Sequence, residues 1–287
     1  MKKFLLIIAI TLFSALFVNG SQAALNWGAG GPTFVQYLTI TGHTGFITTP
    51  SAYCAPMGTL SIGYEHTFST NATYGAMASI LKLTFTPHHM FEFGFSKELA
   101  YEDRPSGQSQ FYFDSTPFFF HMKLRFLDWR DGAVAFGLDI DITPDMSGTS
   151  SRGGMSITPY FVFTGVTTLL GAFNFGFGKT FYLDKAPDML INFFASWVYS
   201  FAQLDHRLQL VIDFSNADYR AGDSRFKAAS EDRAYLNFQI RGVVVKTPIV
   251  QWTIMATLYD MFDLGGRPPV YVTFNASIGT SLHIKLY

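Results

Sequence analysis

The sequence predicts an all-β fold, a single antiparallel transmembrane β-barrel of about 12 strands with an irregular N-terminal segment in the lumen or at the periplasmic mouth. Apolar and polar residues alternate singly over many segments, and the links between these segments are short and long in turn. Charged residues make up only 14% of the 287 residues, whereas soluble globular proteins carry roughly 25%. Short turns on one side, long loops on the other and an even number of strands are typical of outer-membrane barrels.

A secretory signal peptide is predicted for residues 1–23. This segment has two lysines, a long apolar run and the small residues Ser21 and Ala23 at the spacing of a cleavage site, as signal peptides do. A retained membrane anchor is the alternative. With the barrel pattern, the signal peptide predicts export through the Sec pathway to the outer membrane of a Gram-negative cell.

The overall composition excludes several classes of protein. The net charge of −1 argues against nucleic-acid binding. The single cysteine, Cys54, cannot form an intramolecular disulfide. No apolar run after the signal peptide approaches the length of a transmembrane helix.

The alternating segments are the predicted barrel strands, which together with their links span residues 58–287. They lie near 58–68, 75–86, 89–98, 116–127, 132–143, 155–165, 170–182, 189–202, 206–216, 232–244, 249–259 and 270–286. In two of these segments the strand pattern is weaker than in the rest. Pro159 fits poorly inside a paired strand, and the segment near 75–86 shows little contrast between its two faces. The predicted short links lie at 86–89, 128–131, 166–168, 203–206 and 245–248, and the longer polar links at 69–74, 99–115, 144–154, 183–188, 217–231 and 260–269.

The orientation of the strands follows from the hairpin at 117–142, PFFFHMKLRFLDWRDGAVAFGLDIDI. A basic residue on the lipid face costs roughly 2–4 kcal/mol near the bilayer midplane. Placing the charges of this hairpin there would cost on the order of 10 kcal/mol, as much as the whole stability of a typical domain, about 5–15 kcal/mol. The phenylalanines are therefore predicted to face lipid and the charges the lumen. A soluble barrel or sandwich with reversed faces is the alternative, but it should carry more charge on its wet face.

The register of this hairpin predicts ion pairs in the lumen. Residues on one face pair with residues on the same face, so Asp139 should lie opposite a position close to His121, with Lys123 as a diagonal neighbour. We interpret these charges as groups that stiffen the wall and fill a narrow interior, rather than as a substrate filter. The predicted lumen charge cluster comprises His121, Lys123, Arg125, Asp139, Asp141, Asp213 and Arg241.

The segment 24–57 is predicted to be an N-terminal strap or partial plug, because its part from residue 41 shows no clean period and is rich in Gly, Thr and Pro. Irregular backbone cannot face lipid, where each backbone polar group needs an internal partner. The stretch TGFITTPSAYCAPMGTLSIGY resembles the opening signature of the YjbH-like outer-membrane family. The matching residues are Gly45, Thr49, Pro50, Ser51, Ala52, Pro56, Gly58 and Thr59. The chain departs from the family at Tyr53, where the family pattern has a basic residue.

The resemblance implies a non-enzymatic barrel associated with exopolysaccharide, acting as a structural or conduit component in envelope polysaccharide export or organisation. Its expected partners are outer-membrane lipid, the barrel-assembly machinery, and polysaccharide or periplasmic proteins. A general diffusion porin for small solutes is the first alternative, and an outer-membrane lipid-modifying enzyme is the second.

No catalytic constellation is apparent in the sequence. His121 is the best candidate for a proton-handling group, but no serine stands beside it in an elbow-like motif. His88 and His89 suggest a metal, yet adjacent strand residues point to opposite faces, so we expect no metal and no cofactor. The chain ends on Leu286 and Tyr287, which we interpret as an imperfect assembly signal, because the outward face ends on Leu286 rather than on the aromatic residue.

Overall fold

The computed structural model describes most of the predicted barrel and the second half of the predicted strap. The described residues are 37–39, 41–70, 75–103, 109–112, 118–129, 131–143, 154–167, 170–183, 191–201, 204, 206–216, 235–259 and 274–287. The predicted signal peptide at 1–23 lies outside them, as does the strap before residue 37. The described residues contain no helix that is long and apolar enough to cross a membrane.

Sixteen strands are present in the described residues. They are β1 Tyr37–Leu38, β2 Thr44–Gly45, β3 Thr59–Thr70, β4 Gly75–His88, β5 Phe91–Asp103, β6 Ser109–Tyr112, β7 Phe118–Trp129, β8 Gly132–Thr143, β9 Gly154–Thr167, β10 Gly171–Gly178, β11 Phe181–Tyr182, β12 Asn192–Ser200, β13 Leu208–Ser215, β14 Tyr235–Lys246, β15 Val250–Tyr259 and β16 Phe274–Lys285.

Twelve of these strands form a closed antiparallel β-barrel, which confirms the predicted fold. The order around the wall is β3, β4, β5, β7, β8, β9, β10, β12, β13, β14, β15 and β16. The barrel closes where β16 pairs with β3, from Phe274 opposite Thr70 to Lys285 opposite Thr59. The short strands β6 and β11 pair with β5 and β9, and β1 and β2 form a separate two-stranded sheet.

Pro159, predicted to be a poor strand residue, lies within β9 and pairs with Leu138 of β8. The pairing is interrupted on the other edge of β9, where this strand pairs with β10 and β11. There β10 ends at Gly178, opposite Tyr160, and the pairing resumes in the same register at Phe181 of β11. A proline contributes no N–H to a ladder, so the chain accommodates it by interrupting the neighbouring strand.

The links at one end of the barrel are mostly shorter than those at the other end, as the sequence predicts, and the seven-residue link 201–207 and the four-residue link 71–74 are exceptions. At one end, strands are joined by residues 89–90, 130–131, 168–170, 201–207 and 247–249, and β3 begins and β16 ends there. The links at the other end cover 71–74, 104–117, 144–153, 179–191, 216–234 and 260–273. The first of these is as short as a turn. The predicted link at 86–89 is smaller than expected, because β4 continues to His88 through a register shift.

The outer surface of the wall is apolar. In β10, Phe173, Phe175 and Phe177 are 41%, 53% and 49% exposed, whereas the intervening Asn174 is 3% exposed. The same contrast holds in β16, where Ile278 is 57% exposed and His283 is fully buried. An exterior lined by large apolar side chains suits a bilayer, and the buried polar residues line the lumen.

The β7–β8 hairpin has the predicted register. His121 lies directly opposite Asp139, and Arg125 lies opposite Ala135. A turn of two residues at 130–131 would by itself put each inward residue opposite an outward one. A β-bulge between Arg125 and Leu127 adds one residue and restores the match between the two inward faces.

The strap forms a small β1–β2 hairpin inside the barrel. The Thr39 N–H donates to His43 O at 2.7 Å, and the Gly42 N–H donates to Thr39 O at 3.0 Å. Gly42 has a φ of +98°, a conformation that glycine adopts without steric cost. The described strap residues from Tyr37 to Ala55 are all buried.

Candidate functional site

The centre of the site is a buried ion pair between two wall strands, which holds one side of the strap. Lys123 of β7 and Glu92 of β5 lie opposite each other in the ladder, with Nζ and Oε1 2.9 Å apart. The Lys123 ammonium also donates to Thr44 O at 3.0 Å, Thr44 Oγ1 at 2.8 Å and Tyr53 O at 2.8 Å. Glu92 in turn accepts hydrogen bonds from the N–H and hydroxyl of Thr44. All polar groups of this contact have partners, which buried charges require.

A second carboxylate holds the strap from the other side of the lumen. Asp213 of β13 accepts from Thr48 N at 3.1 Å, Thr48 Oγ1 at 2.7 Å, Thr49 N at 3.2 Å and Thr49 Oγ1 at 2.9 Å. The Thr49 hydroxyl also contacts Ser196 of β12. Six strand steps separate β5 from β13 in either direction around the twelve-strand wall. The strap therefore crosses the lumen and is bound to opposite walls.

Other strands bind the strap between these two points. The Ala52 N–H donates to Thr164 Oγ1 at 2.7 Å, and Thr164 donates to Asn174 Oδ1 at 2.7 Å. Asn174 Nδ2 completes the chain by donating to Pro50 O at 2.8 Å. On β4, the Thr84 hydroxyl donates to Gly42 O at 2.6 Å. The guanidinium of Arg241 stacks 4.9 Å from the centre of the Tyr37 ring.

His43 carries the strap's contact with β8. Its Nε2 lies 2.5 Å from Asp139 Oδ1, and its Nδ1 lies 3.2 Å from the Tyr160 hydroxyl and 3.8 Å from Glu92 Oε1. Burial alone would lower the pKa of His43, but the carboxylates of Asp139 and Glu92 outweigh it and raise the pKa above its ordinary value. An imidazolium here links the strap to two wall carboxylates.

The predicted lumen charge cluster is divided by the strap rather than gathered in one place. His121, Lys123 and Asp139 lie on one wall, and Asp213 and Arg241 lie across the lumen on β13 and β14. The ion pairs also differ from the expected ones, because Lys123 pairs with Glu92 and Asp139 with His43.

Arg125 and Asp141, the other two predicted members, lie at the two ends of the β7–β8 wall. Arg125 Nη2 lies 3.5 Å from Asp128 Oδ2, at the turn, and the guanidinium is 6.0 Å from the Tyr53 ring. Asp141, half-buried, lies opposite Phe119 toward the long-link end.

The residues of the N-terminal signature shape and dock the strap. A Cβ on Gly45 would lie 2.4 Å from Thr49 O, so the backbone can close there only without a side chain. Gly45 bridges Pro50, and Ser51 Oγ donates to Thr44 O and Tyr53 O. Near the first barrel strand, Pro56 O accepts from the Thr59 N–H. Gly58 has a φ of +75°, and its N–H donates to Thr86 O.

A second buried ion pair in the lumen was not among the predicted residues. Lys82 Nζ lies 2.5 Å from Glu65 Oε2, and Glu65 also accepts from Tyr259 and Ser277. The inward parity of Glu65, Lys82 and Glu92 on their strands was a usable signal for all three. His43 and Thr44 lie in the strap, where no period indicates which residues contact the wall.

The thiol of Cys54 is enclosed by the docked strap. Cys54 is buried, and burial raises the pKa of its thiol to about 12. The neighbouring Tyr53 is affected in the same way, since burial raises its pKa to about 12 as well. A thiolate is the reactive form of cysteine, so docking suppresses both access to Cys54 and its intrinsic reactivity.

The predicted assembly signal lies at the short-link end, beside the point where the strap enters the wall. Leu286 and Tyr287 are 56% and 65% exposed. The Leu286 N–H donates to Gly58 O at 2.8 Å, and a Cβ on Gly58 would lie 3.0 Å from the Tyr287 ring.

Comparison with known proteins identifies the fold. No family model and no curated protein matches the chain. Among solved structures, a NanC porin matches with a TM-score of 0.50 and 12% identity over 78% of this chain and 100% of that chain. The COG4313 outer membrane channel from Pseudomonas putida F1 matches with a TM-score of 0.50 and 9% identity over 81% and 98%. A KdgM porin matches with a TM-score of 0.45 and 8% identity over 79% and 99%. The NanC porin and the COG4313 outer membrane channel, each with a TM-score of 0.50, show that this chain has the fold of a β-barrel.

Proposed function

We propose that this chain is an outer-membrane barrel whose lumen is closed by its own N-terminal strap, and that it serves as a non-enzymatic structural or conduit component in envelope polysaccharide export or organisation. The observation that carries the proposal is the strap itself. It is bound by Lys123 and Glu92 on one wall and by Asp213 on the opposite wall.

Burial of the lumen side chains supports a closed resting state. Lys123, Asp213 and Arg241 are each at most 1% exposed. In a water-filled channel these charges would be hydrated. Here Lys123 and Asp213 are satisfied by strap carbonyls, hydroxyls and N–H groups, and Arg241 stacks on the strap residue Tyr37. The strap would have to leave before a solute could pass.

The polysaccharide part of the proposal rests on the resemblance of the strap signature to the YjbH-like family. In this chain the signature residues shape and dock the strap. Loss of the gene should alter surface polysaccharide or biofilm matrix while leaving uptake of small sugars unchanged. Normal matrix with reduced sugar uptake would overturn the proposal.

A diffusion channel for small solutes is the second candidate. It is favoured by the names of the similar solved structures, two of which are a porin and an outer membrane channel. The number of strands does not decide, because twelve lies between side-chain-filled barrels of about eight and open channels of about sixteen or more. A large, constant conductance of the intact protein in a planar bilayer would favour this candidate.

A lipid-modifying enzyme is the third candidate, and the described residues contain one serine–histidine contact to weigh. His283 lies 2.7 Å from Ser61 Oγ through Nδ1 and 3.1 Å from Ser281 Oγ through Nε2. All three side chains are fully buried at the lumen face, where a lipid ester has no access. We expect the purified protein not to hydrolyse phospholipid, and hydrolysis that is lost in His283→Ala would contradict this.

A further inference from the structure

Three potential metal ligands from three separate segments meet inside the barrel. They are His43 of the strap, Glu92 of β5 and His121 of β7, each of which offers one ligand atom, with all three atoms within 4.8 Å of one another. The three side chains are fully buried. The His43 and His121 rings are 4.1 Å apart between their centres.

The histidines are prepared for coordination in different ways. His43 Nε2 is held by Asp139 at 2.5 Å, and its Nδ1 lies 3.2 Å from the Tyr160 hydroxyl and 3.8 Å from Glu92 Oε1. An ion at Nδ1 would replace the contact with Tyr160. A carboxylate on the outer nitrogen of a metal-binding histidine fixes the ring and raises its basicity. His121 Nδ1 is buried, and within the described part of the chain no group satisfies it with a hydrogen bond. A buried polar atom without a hydrogen-bond partner destabilises the folded state, and a metal ion bound to Nδ1 would supply the missing partner.

The local charge also favours a cation. Glu92 and Asp139 contribute two negative charges when ionised, and Lys123 contributes one positive charge. A metal ion at Nδ1 would take the place of the second proton of His43, so its positive charge would stand where the imidazolium charge now faces the two carboxylates. If Glu92 turned toward an ion, the Lys123 ammonium would still keep Thr44 O, Thr44 Oγ1 and Tyr53 O as acceptors.

We propose that His43, Glu92 and His121 form a binding site for a divalent transition-metal ion such as Zn²⁺, which joins the strap to the barrel wall. Two imidazoles and one carboxylate suit zinc and its neighbours, whereas Mg²⁺ and Ca²⁺ prefer oxygen ligands alone. Zinc–nitrogen bonds of roughly 2.0–2.1 Å put the ligand atoms of a tetrahedral ion about 3.4 Å apart. The three ligand atoms, which lie within 4.8 Å of one another, therefore need to approach by up to about 1.4 Å.

This site goes beyond the proposed function, because it does not depend on what crosses the membrane. Binding of the ion would stabilise the docked position of the strap. The ion would add a bond between the strap and strands β5 and β7, on the wall opposite Asp213.

The test is zinc retention by the purified, folded protein. After incubation with excess Zn²⁺ and dialysis, the wild-type protein should retain about one equivalent by elemental analysis, and Mg²⁺ should not compete. His121→Ala should weaken zinc binding at least tenfold. His283→Ala removes another buried lumen histidine and is the matched control, which should bind like wild type.

A second variant protects the test against misfolding of the wall. If His121→Ala does not form a heat-modifiable barrel, His43→Gln replaces it as the test variant, because this substitution changes only the strap. His43→Gln should weaken zinc binding to the same extent. Retention well below one equivalent by the wild type overturns the proposal. Equal retention by wild type and by a folded His121→Ala or His43→Gln variant overturns it as well.

Discussion

Neutralising Asp213 should release the strap from its wall. In Asp213→Asn the side chain keeps its volume but loses its charge. The amide group also brings its own N–H donors to a place where four strap donors, from Thr48 and Thr49, converge. At least one of these four strap donors must then lose its hydrogen-bond acceptor.

The size of the effect follows from these hydrogen bonds. A hydrogen bond to a charged group contributes about 1.5–3 kcal/mol and a neutral one about 0.5–1.5 kcal/mol. Weakening four bonds by about 1 kcal/mol each gives about 4 kcal/mol, and bonds in one network are not additive. We expect a loss of about 3 kcal/mol in the free energy of strap docking, which raises the undocked population about 150-fold.

Cys54 provides the assay, because it is the single cysteine of the chain and is buried in the docked strap. The rate of maleimide labelling in the folded barrel reports the undocked population. Asp213→Asn should label about 150-fold faster than wild type. Glu65→Gln is the control, since it neutralises another buried lumen carboxylate whose ion pair and hydrogen bonds run to wall residues. A change below threefold, or an equal acceleration in Glu65→Gln, would refute the reasoning.

Three further predictions concern the strap and the end of the chain. Gly45→Ala should also accelerate Cys54 labelling at least tenfold while the barrel still forms, because the new Cβ would lie 2.4 Å from Thr49 O; unchanged labelling would contradict this. The labelling rate of wild type should level off above the ordinary thiol pKa of about 8.5, because reaction occurs through the undocked strap. A tenfold rise per pH unit that continues toward the docked pKa of about 12 would instead indicate reaction in the docked state. Tyr287→Asp should lower the yield of heat-modifiable barrel, and a normal yield on gels would count against the assembly role.

The strands of the wall were predictable because the environment of each residue follows from its position along its own strand. In β7 and β8 each residue meets either lipid or lumen, so the alternation from Phe118 to Ile142 reports the face of every residue. The antiparallel barrel with an even number of strands was predicted from the alternation of short and long links. The bulge at Phe126 was not visible, since it depends on how a two-residue turn meets the inward faces of both strands.

The strap and its contacts were much less predictable. Irregular backbone has no period, so the sequence predicted a location in the lumen or at the periplasmic mouth but not which residues touch the wall. Thr48 and Asp213 are 165 residues apart in sequence, and nothing local marks them as partners. Glu92 was recognisable as an inward residue, but its pairing with Lys123 needed the register between β5 and β7. The meeting of His43 with His121 required both the strap path and that register.

The most direct test of the central claim is single-channel conductance in a planar bilayer, measured for the intact protein and for a chain that lacks residues 24–57. If the strap closes the lumen, the intact protein should show little or no steady conductance, and the shortened barrel should show a stable open channel. Asp213→Asn should fall between them, with brief openings. A large steady conductance of the intact protein that does not change on removal of the strap would contradict the account.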